Sequence, residues 1–347
     1  MSKKPFIYIL ISAALFGISS PIAKLILKDI APITLASLLY LGAFLGLFLY
    51  SLLTIRNTSP IESEKLRTKD LPWLLGAVIA GGVIAPISQI YGLSLISGFS
   101  VSLLLNLERV ATAIIAVLFF RENAGRRLWL ALLCMTAAGV FLSWSPEQGK
   151  FNIIGPLLIL LAAVCWGIDN NLTRHISEKS PIQITYIKGL VGGIVSLSVV
   201  LILGINVPWN LSLLFALLLG SMSYGVSLVF FIKALKGLGS SRTGTFFSVG
   251  PFIGALASVI ILKEWVGWIM FPAFLLMVSG VWLVISEKHG HTHTHTAITH
   301  AHAHKHDDLH HLHKHPDEVG EHTHEHSHPE LNHSHTHWPD SQHRHAH

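Results

Sequence analysis

The sequence predicts an all-α polytopic membrane protein, ten transmembrane helices in a five-plus-five inverted repeat, followed by a disordered His-rich tail. Three observations carry this. The 347 residues are 51% hydrophobic and only 12% charged, with a mean hydropathy of +0.56 in spite of a long polar tail, too apolar for a soluble fold of ordinary composition. The stretch Ala14-Leu15-Phe16-Gly17-Ile18-Ser19-Ser20-Pro21-Ile22-Ala23-Lys24 reappears 150 positions later as Val164-Cys165-Trp166-Gly167-Ile168-Asp169-Asn170-Asn171-Leu172-Thr173-Arg174. Lys and Arg also gather on one side of the predicted spans.

Crossing about 30 Å of hydrocarbon takes about 20 helical residues. Apolar segments of that length fall near 5–27, 32–55, 71–91, 96–119 and 126–145, then 152–173, 182–204, 211–234, 242–262 and 267–286. The first has Lys3 and Lys4 ahead of an apolar run, as a signal peptide would. No small-residue cleavage site follows, and Lys24 and Lys28 lead into the next span, so it reads as a retained helix. The third and fourth spans meet at Ser97-Gly98 with almost no loop, and Pro86, Pro251 and Pro272 are placed to bend or break spans. Cys134 and Cys165 fall inside spans and imply no disulfide framework. A second repeated pair closes each half. Glu108-Arg109 runs through an apolar stretch to Phe119-Phe120-Arg121-Glu122, and Gly250-Pro251 runs through another to Ile261-Leu262-Lys263-Glu264. The expected organisation is a first repeat over 1–148, a second over 149–288 and a tail over 289–347.

Cytoplasmic loops are rich in Lys and Arg. Lys3, Lys4, Arg56, Lys65, Arg67, Lys69, Arg121, Arg126, Arg127, Arg174, Lys179, Lys233, Lys236 and Arg242 fall on one side, against Lys28, Lys150 and Lys263 on the other. Both termini are therefore expected in the cytoplasm. Five spans is an odd number, so the second repeat enters the bilayer upside down relative to the first.

Charges inside the bilayer mark candidate function, because even insertion scales put a central charge at about 2.5–3.5 kcal/mol. Counted from position 96, Glu108 lies about 18 Å deep. Glu108 and Arg109 point about 100° apart, so each needs a different partner. They either brace the bundle or line a cavity for substrate or proton coupling. Asn106 precedes them. Asp169, Asn170 and Asn171 form a second polar cluster, with Asp169 and Thr173, and Asn170 and Arg174, four apart on a shared face. Helix capping and a cavity gate explain this cluster equally. Lys24 repeats the position of Arg174 at the opposite end, suggesting paired basic collars. Lys188 either snorkels or faces the cavity. Trp144, Trp209, Trp265 and Trp268 lie near span ends as interfacial anchors, while Trp166 and Tyr224 are candidates for cavity walls.

After Ser286 the character changes. Of 23 histidines, 22 lie between His289 and His347, and His175 alone lies outside. The alternation offers no helical apolar face and almost no large side chain for a core, which predicts a tail disordered until it binds something. His289, His291, His293, His295, His300, His302, His304, His306, His310, His311, His313, His315, His322, His324, His326, His328, His333, His335 and His337 are candidate ligands. Neutral imidazole suits divalent Zn, Ni, Co or Cu, and the pattern alone does not choose among them.

The membrane region resembles the EamA-type branch of the drug/metabolite transporter superfamily. The resemblance rests on Phe16-Gly17 and Trp166-Gly167, Asn106-Leu107-Glu108, Glu122 and Glu264, and Gly139 and Gly280. It implies a ten-helix carrier working by alternating access in a prokaryotic inner membrane, with helices five and ten peripheral or forming a homodimer. Arg109 departs from the family, which has proline there, whereas Pro251 keeps it in the second repeat. Beyond the lipid bilayer, the expected partner is a small-molecule or metal substrate, with no nucleic acid. The spans hold no histidine and no two carboxylates four apart, an arrangement that fits a small metabolite better than a dehydrated divalent ion. Metal export, and a non-transporting metal sensor or scaffold, are the alternatives. No nucleophile and base pair or phosphate-binding glycine loop stands out, so enzymatic chemistry is not expected and no cofactor is required for transport.

Overall fold

The computed structural model describes residues 4–54, 66–120, 126–142, 144–145, 150–151, 153–176, 179–264, 267–268, 270–286, 289–295, 298–304, 322–328 and 331–337. They fall into two compact units, Met1–Glu287 and Lys288–His347.

The first unit is helical. α1 (Lys4–Gly17) and α2 (Ser19–Ile26) form the first predicted span with a hitch at Ile18, and α3 (Pro32–Thr54) forms the second. The third is α4 (Leu71–Ala77), a π-helical segment Val78–Ile84 and α5 (Ala85–Leu95). α6 (Gly98–Leu104) and α7 (Leu107–Phe120) share the fourth, and α8 (Arg126–Leu142) is the fifth. Then come α9 (Ile154–Arg174), α10 (Pro181–Ile202), α11 (Leu211–Gly220), a second π-helical segment Ser221–Val226, α12 (Ser227–Phe247), α13 (Gly250–Leu262) and α14 (Met270–Ile285). Among the described residues six runs are long and apolar enough to cross a membrane: Lys4–Ile26, Pro32–Leu52, Thr68–Leu95, Ile154–Thr173, Ile182–Ile202 and Leu211–Ala234. Trp129–Leu142, Gly250–Leu262 and Met270–Leu283 are apolar but shorter. The chain is thus a polytopic integral membrane protein. One boundary differs from expectation: α12 runs on through the predicted 235–241 loop, a stretch with no proline to stop it.

The halves interleave rather than standing as separate bodies. α3 packs along α10, and α8 along α14. α1 lies against α12 and α13, while α9 lies against α5 and α7; α3 meets the second π segment, and α10 the first. Each of these inter-element contacts has its counterpart with the halves exchanged. The repeated Phe-Gly and Trp-Gly motifs show why glycine stands at their second positions. A Cβ on Gly17 would press into the backbone of Gly250 and Gly254, and one on Gly167 would lie 2.9 Å from the Thr112 nitrogen. The α1–α13 and α9–α7 crossings are therefore backbone-to-backbone, as small residues permit in lipid.

Both halves also break a span. Between α6 and α7 the chain tightens to i→i−3 bonds, Asn106 N to Leu103 O (3.1 Å), Glu108 N to Leu105 O (3.2 Å) and Arg109 N to Asn106 O (3.2 Å). Between α12 and α13 the same happens at Ser248-Val249, with Val249 N to Phe246 O at 3.2 Å, and Pro251 at the start of α13 needs no N–H partner. Asn106 and Ser248 are both buried.

The corner between α5 and α6 is closed by two charges. Lys24 Nζ donates to the carbonyls of Leu93 and Ile96, the latter at 2.7 Å. Glu264 accepts from the N–H groups of Gly98 (2.8 Å) and Phe99 (2.9 Å). A cation on the last carbonyls of one helix and an anion on the first amides of the next satisfy the orphan groups and suit both helix dipoles. Lys24 is therefore a helix cap and not a basic collar.

The second unit departs from the expected disordered tail. β1 (Trp144–Ser145) and β2 (Lys150–Phe151) form a small pair in the first unit; in the tail, β3 (His289–His295) pairs antiparallel with β6 (Leu331–His337), and β4 (Ile298–His304) with β5 (His322–His328). Strict alternation is the period of a strand, and the threonines between the histidines favour extended backbone. The absence of an apolar face excluded a core but not a ladder. His306, His310, His311, His313 and His315 lie outside the described residues, as do Glu122 and Trp265.

Candidate functional site

The candidate residues converge on α9, which packs against α4, the first π segment, α5 and α7. The first π segment sets up one half of the site. Pro86 has no N–H, so it cannot bond back into the helix. The Ala85 N–H reaches Ala80 O instead of its α-helical acceptor, Gly81 O. That carbonyl accepts from Tyr40 Oη at 2.6 Å and from Trp166 Nε1 at 3.2 Å. Gly81 also has the Asp169 carboxylate against it, where any Cβ would collide. Two phenol and indole donors and one carboxylate thus gather around a single turn of irregular helix, a common device at functional sites.

Asp169 is buried and fully engaged. Its Oδ2 meets Lys188 Nζ of α10 at 2.5 Å and its Oδ1 accepts from Thr173 Oγ1 at 2.9 Å. The Thr173 contact is the i,i+4 pair expected from the sequence. The Lys188 contact corrects the snorkelling alternative, because the ammonium turns inward to a buried carboxylate.

On the other side of the same helix, Asn170 Nδ2 donates to Glu108 Oε1 at 2.9 Å and to Thr112 Oγ1 at 3.2 Å. Asn171 Nδ2 donates to Thr112 O (3.1 Å) and Gly167 O (2.8 Å), stitching α9 to α7. The break before Leu107 places Glu108 in the first turn of α7, where the helix dipole favours a carboxylate. Asn170 is exposed and Glu108 half-buried in the structure, so the Glu108–Asn170 edge is the most accessible part of the network. Arg109 is half-buried next to it. Asn106 is not drawn into the network: its Nδ2 donates back to Leu103 O at 3.1 Å, and its buried Oδ1 has no hydrogen-bond partner among the described residues.

The second π segment supplies an aromatic wall. Tyr224, within it, donates from its hydroxyl to Gln89 Oε1 at 3.3 Å. Its ring lies 5.9 Å from both Phe16 and Tyr40, so Tyr40 joins the wall to the polar cluster. Trp209 and Trp268 are 90% and 82% exposed, as interfacial anchors should be. The side chain of Arg174 lies outside the described residues.

The sequence singled out Glu108, Asp169, Asn170, Asn171, Trp166, Tyr224 and Lys188; the structure brings all but Tyr224 together around α9, and Tyr224 joins them through Tyr40. It missed Tyr40, Gln89 and Thr112. Gln89 and Tyr40 are polar groups inside predicted spans, and Thr112 lies one turn after Glu108, so each carried a readable signal.

A family model described as the EamA-like transporter family matches residues 3–144 and again 153–286. The chain belongs to the EamA-like transporter family. This EamA-like chain is 29% identical over 297 residues, 80% of its own length and 85% of the relative's, to an uncharacterized transporter of Methanothermobacter thermautotrophicus. A solved crystal structure of another protein shares the fold, with a TM-score of 0.57 and 15% identity over 79% of this chain and 94% of that one. The EamA-like match falls twice, once on each half, which accounts for the repeated motifs. It points to a transporter of small molecules rather than an enzyme.

Proposed function

We propose that this protein is a secondary active carrier that exports a small polar metabolite by alternating access. Its ten spans form a five-plus-five inverted repeat with both termini in the cytoplasm of a prokaryotic cell, in the inner membrane. The observation that carries this reading is the network of Glu108, Asn170, Thr112, Asp169 and Lys188 around α9, flanked by two π segments and two broken spans in equivalent places. Broken helices meeting near the middle of repeat-built carriers are where substrate sites form. Glu108, at the open edge, is the group that carries a coupling proton; Tyr40, Trp166 and Tyr224 form the wall against which an organic body would rest. Lys188 and Asp169 hold the frame, with Asn171 joining α9 to α7 and Arg109 beside Glu108 on α7.

A metal cargo is less well served. Among the described residues of the membrane unit no three His, Cys, Asp or Glu side chains come together to hold an ion, and Glu108 and Asp169 are already bonded to Asn170, Thr173 and Lys188.

The test is the metabolite profile of the medium, together with the Zn, Ni and Co content of the cells, for cells making the full chain or Glu108→Gln. Metabolite release that depends on Glu108 while cellular metal ignores it is the expected result. A fall in one cellular metal that requires Glu108 would make the chain a metal exporter, and equal release from both proteins would remove Glu108 from the mechanism.

A further inference from the structure

We propose that the tail holds divalent first-row transition metal ions between histidines set opposite one another on its two strand pairs, one four-imidazole site per pair. This site stands whether or not the membrane unit is a carrier.

The register is the observation. Along β3 and β6, His289 stands opposite His337, His291 opposite His335, and His293 opposite His333; the positions between are Gly290 with Thr336, Thr292 with Ser334, and Thr294 with Asn332. Along β4 and β5, His300 stands opposite His326, His302 opposite His324, and His304 opposite His322, with Ala301 opposite Glu325 and Ala303 opposite Thr323 between them. Because strand positions alternate between faces, each pair of strands has one face of three histidine couples and an opposite face without histidine over those rungs. A slip of one residue in either strand would leave no histidine opposite another histidine. The alternation in the sequence and the pairing in the structure are thus in phase at six rungs.

The spacing suits an ion. Directly opposed positions place Cβ atoms about 4.5–5.5 Å apart, and successive couples on one face follow about 6.6 Å along the strands. Imidazole nitrogens bind zinc at about 2.0–2.1 Å, so two neighbouring couples can supply four donors to one ion. Four nitrogen donors and no carboxylate favour Zn²⁺, Cu²⁺ or Ni²⁺ over Mg²⁺ or Ca²⁺. The ion also answers what the ladder lacks. A two-stranded ribbon without an apolar face is marginal in water, and opposed imidazoles repel when protonated. Metal binding therefore drives strand pairing, and the two are one equilibrium.

The test uses the full chain in detergent micelles, titrated with ZnCl₂ by calorimetry, with the infrared band of antiparallel strands read as a metal-minus-apo difference. The first variant shifts the phase of β6 alone, keeping its composition: Asn332→His, His333→Asn, Ser334→His, His335→Ser, Thr336→His and His337→Thr. The second adds the matching shift in β3: His289→Gly, Gly290→His, His291→Thr, Thr292→His, His293→Thr and Thr294→His. The parent should bind two ions tightly and gain the strand band. The β6 shift should lose one of the two, its residual binding weaker by at least tenfold, and the double shift should recover it. Equal binding by parent and β6 shift, no recovery in the double shift, or no strand band on adding zinc would each overturn the proposal and leave the tail a histidine polymer whose order does not matter.

Discussion

Asp169 lies between the Lys188 ammonium and the Thr173 hydroxyl, and its neighbour Asn170 takes up Glu108. Two adjacent residues thus serve two separate polar clusters, because successive helical positions face different neighbours. A buried ion pair is costly to break from one side, since the remaining charge has no solvent to retreat to. Asp169→Leu alone should lower the stability of the detergent-solubilised protein by about 3–5 kcal/mol, read as a fall in melting temperature. Asp169→Leu with Lys188→Met should recover most of it, since no charge is then left unpaired. If the double variant melts as low as the single, the pair is not what holds α9 to α10. At this scale the sequence showed which residues were unusual but not which would meet. Asp169 and Thr173 were legible as partners because helical periodicity fixes their distance, whereas Lys188 reaches Asp169 only through the packing of α10 on the first π segment.

A span can be interrupted only if the freed backbone groups are met within the protein. The α5–α6 corner meets them with Lys24 and Glu264, from opposite halves of the chain. Glu264→Ala should leave the Gly98 and Phe99 N–H groups without that acceptor, at about 1–3 kcal/mol. Hydrogen exchange of the peptide covering 96–104 should quicken by tenfold or more, while that covering 33–39 stays as it was. Unchanged exchange at 96–104 would mean that water already serves these amides. The near-absence of a loop at Ser97-Gly98 was plain from the sequence, and Glu264 was noticed as a motif residue. That the one explains the other was hidden, since an acceptor 166 positions away leaves no periodic trace. The π segments were equally hidden, although Pro86, which removes an N–H one residue beyond the first segment's cap, is a visible site for a bend.

At the scale of the molecule, the duplicated halves and their apolar spans were legible because composition and repetition survive without knowledge of contacts. The strands of the tail were not, because a ladder depends on which segment lies opposite which. The two units have separate internal contacts, so a chain ending at Ser286 should keep its membrane fold. The shortened protein should elute as one symmetric peak and melt at the temperature of the full chain. Aggregation or a lower melting temperature would show that the tail contributes to the membrane unit's stability. The two π segments carry a further consequence for motion. Each holds one residue more than an α-helix would fit into the same turn. If a segment reverted to α geometry, the half-helix beyond it would rotate by about 100° and keep its backbone bonds made. A helix with such a spare residue can re-index against its neighbours like a screw advanced by part of a thread, so Tyr224, riding inside one of these segments, can change the surface it presents without any helix melting in the bilayer.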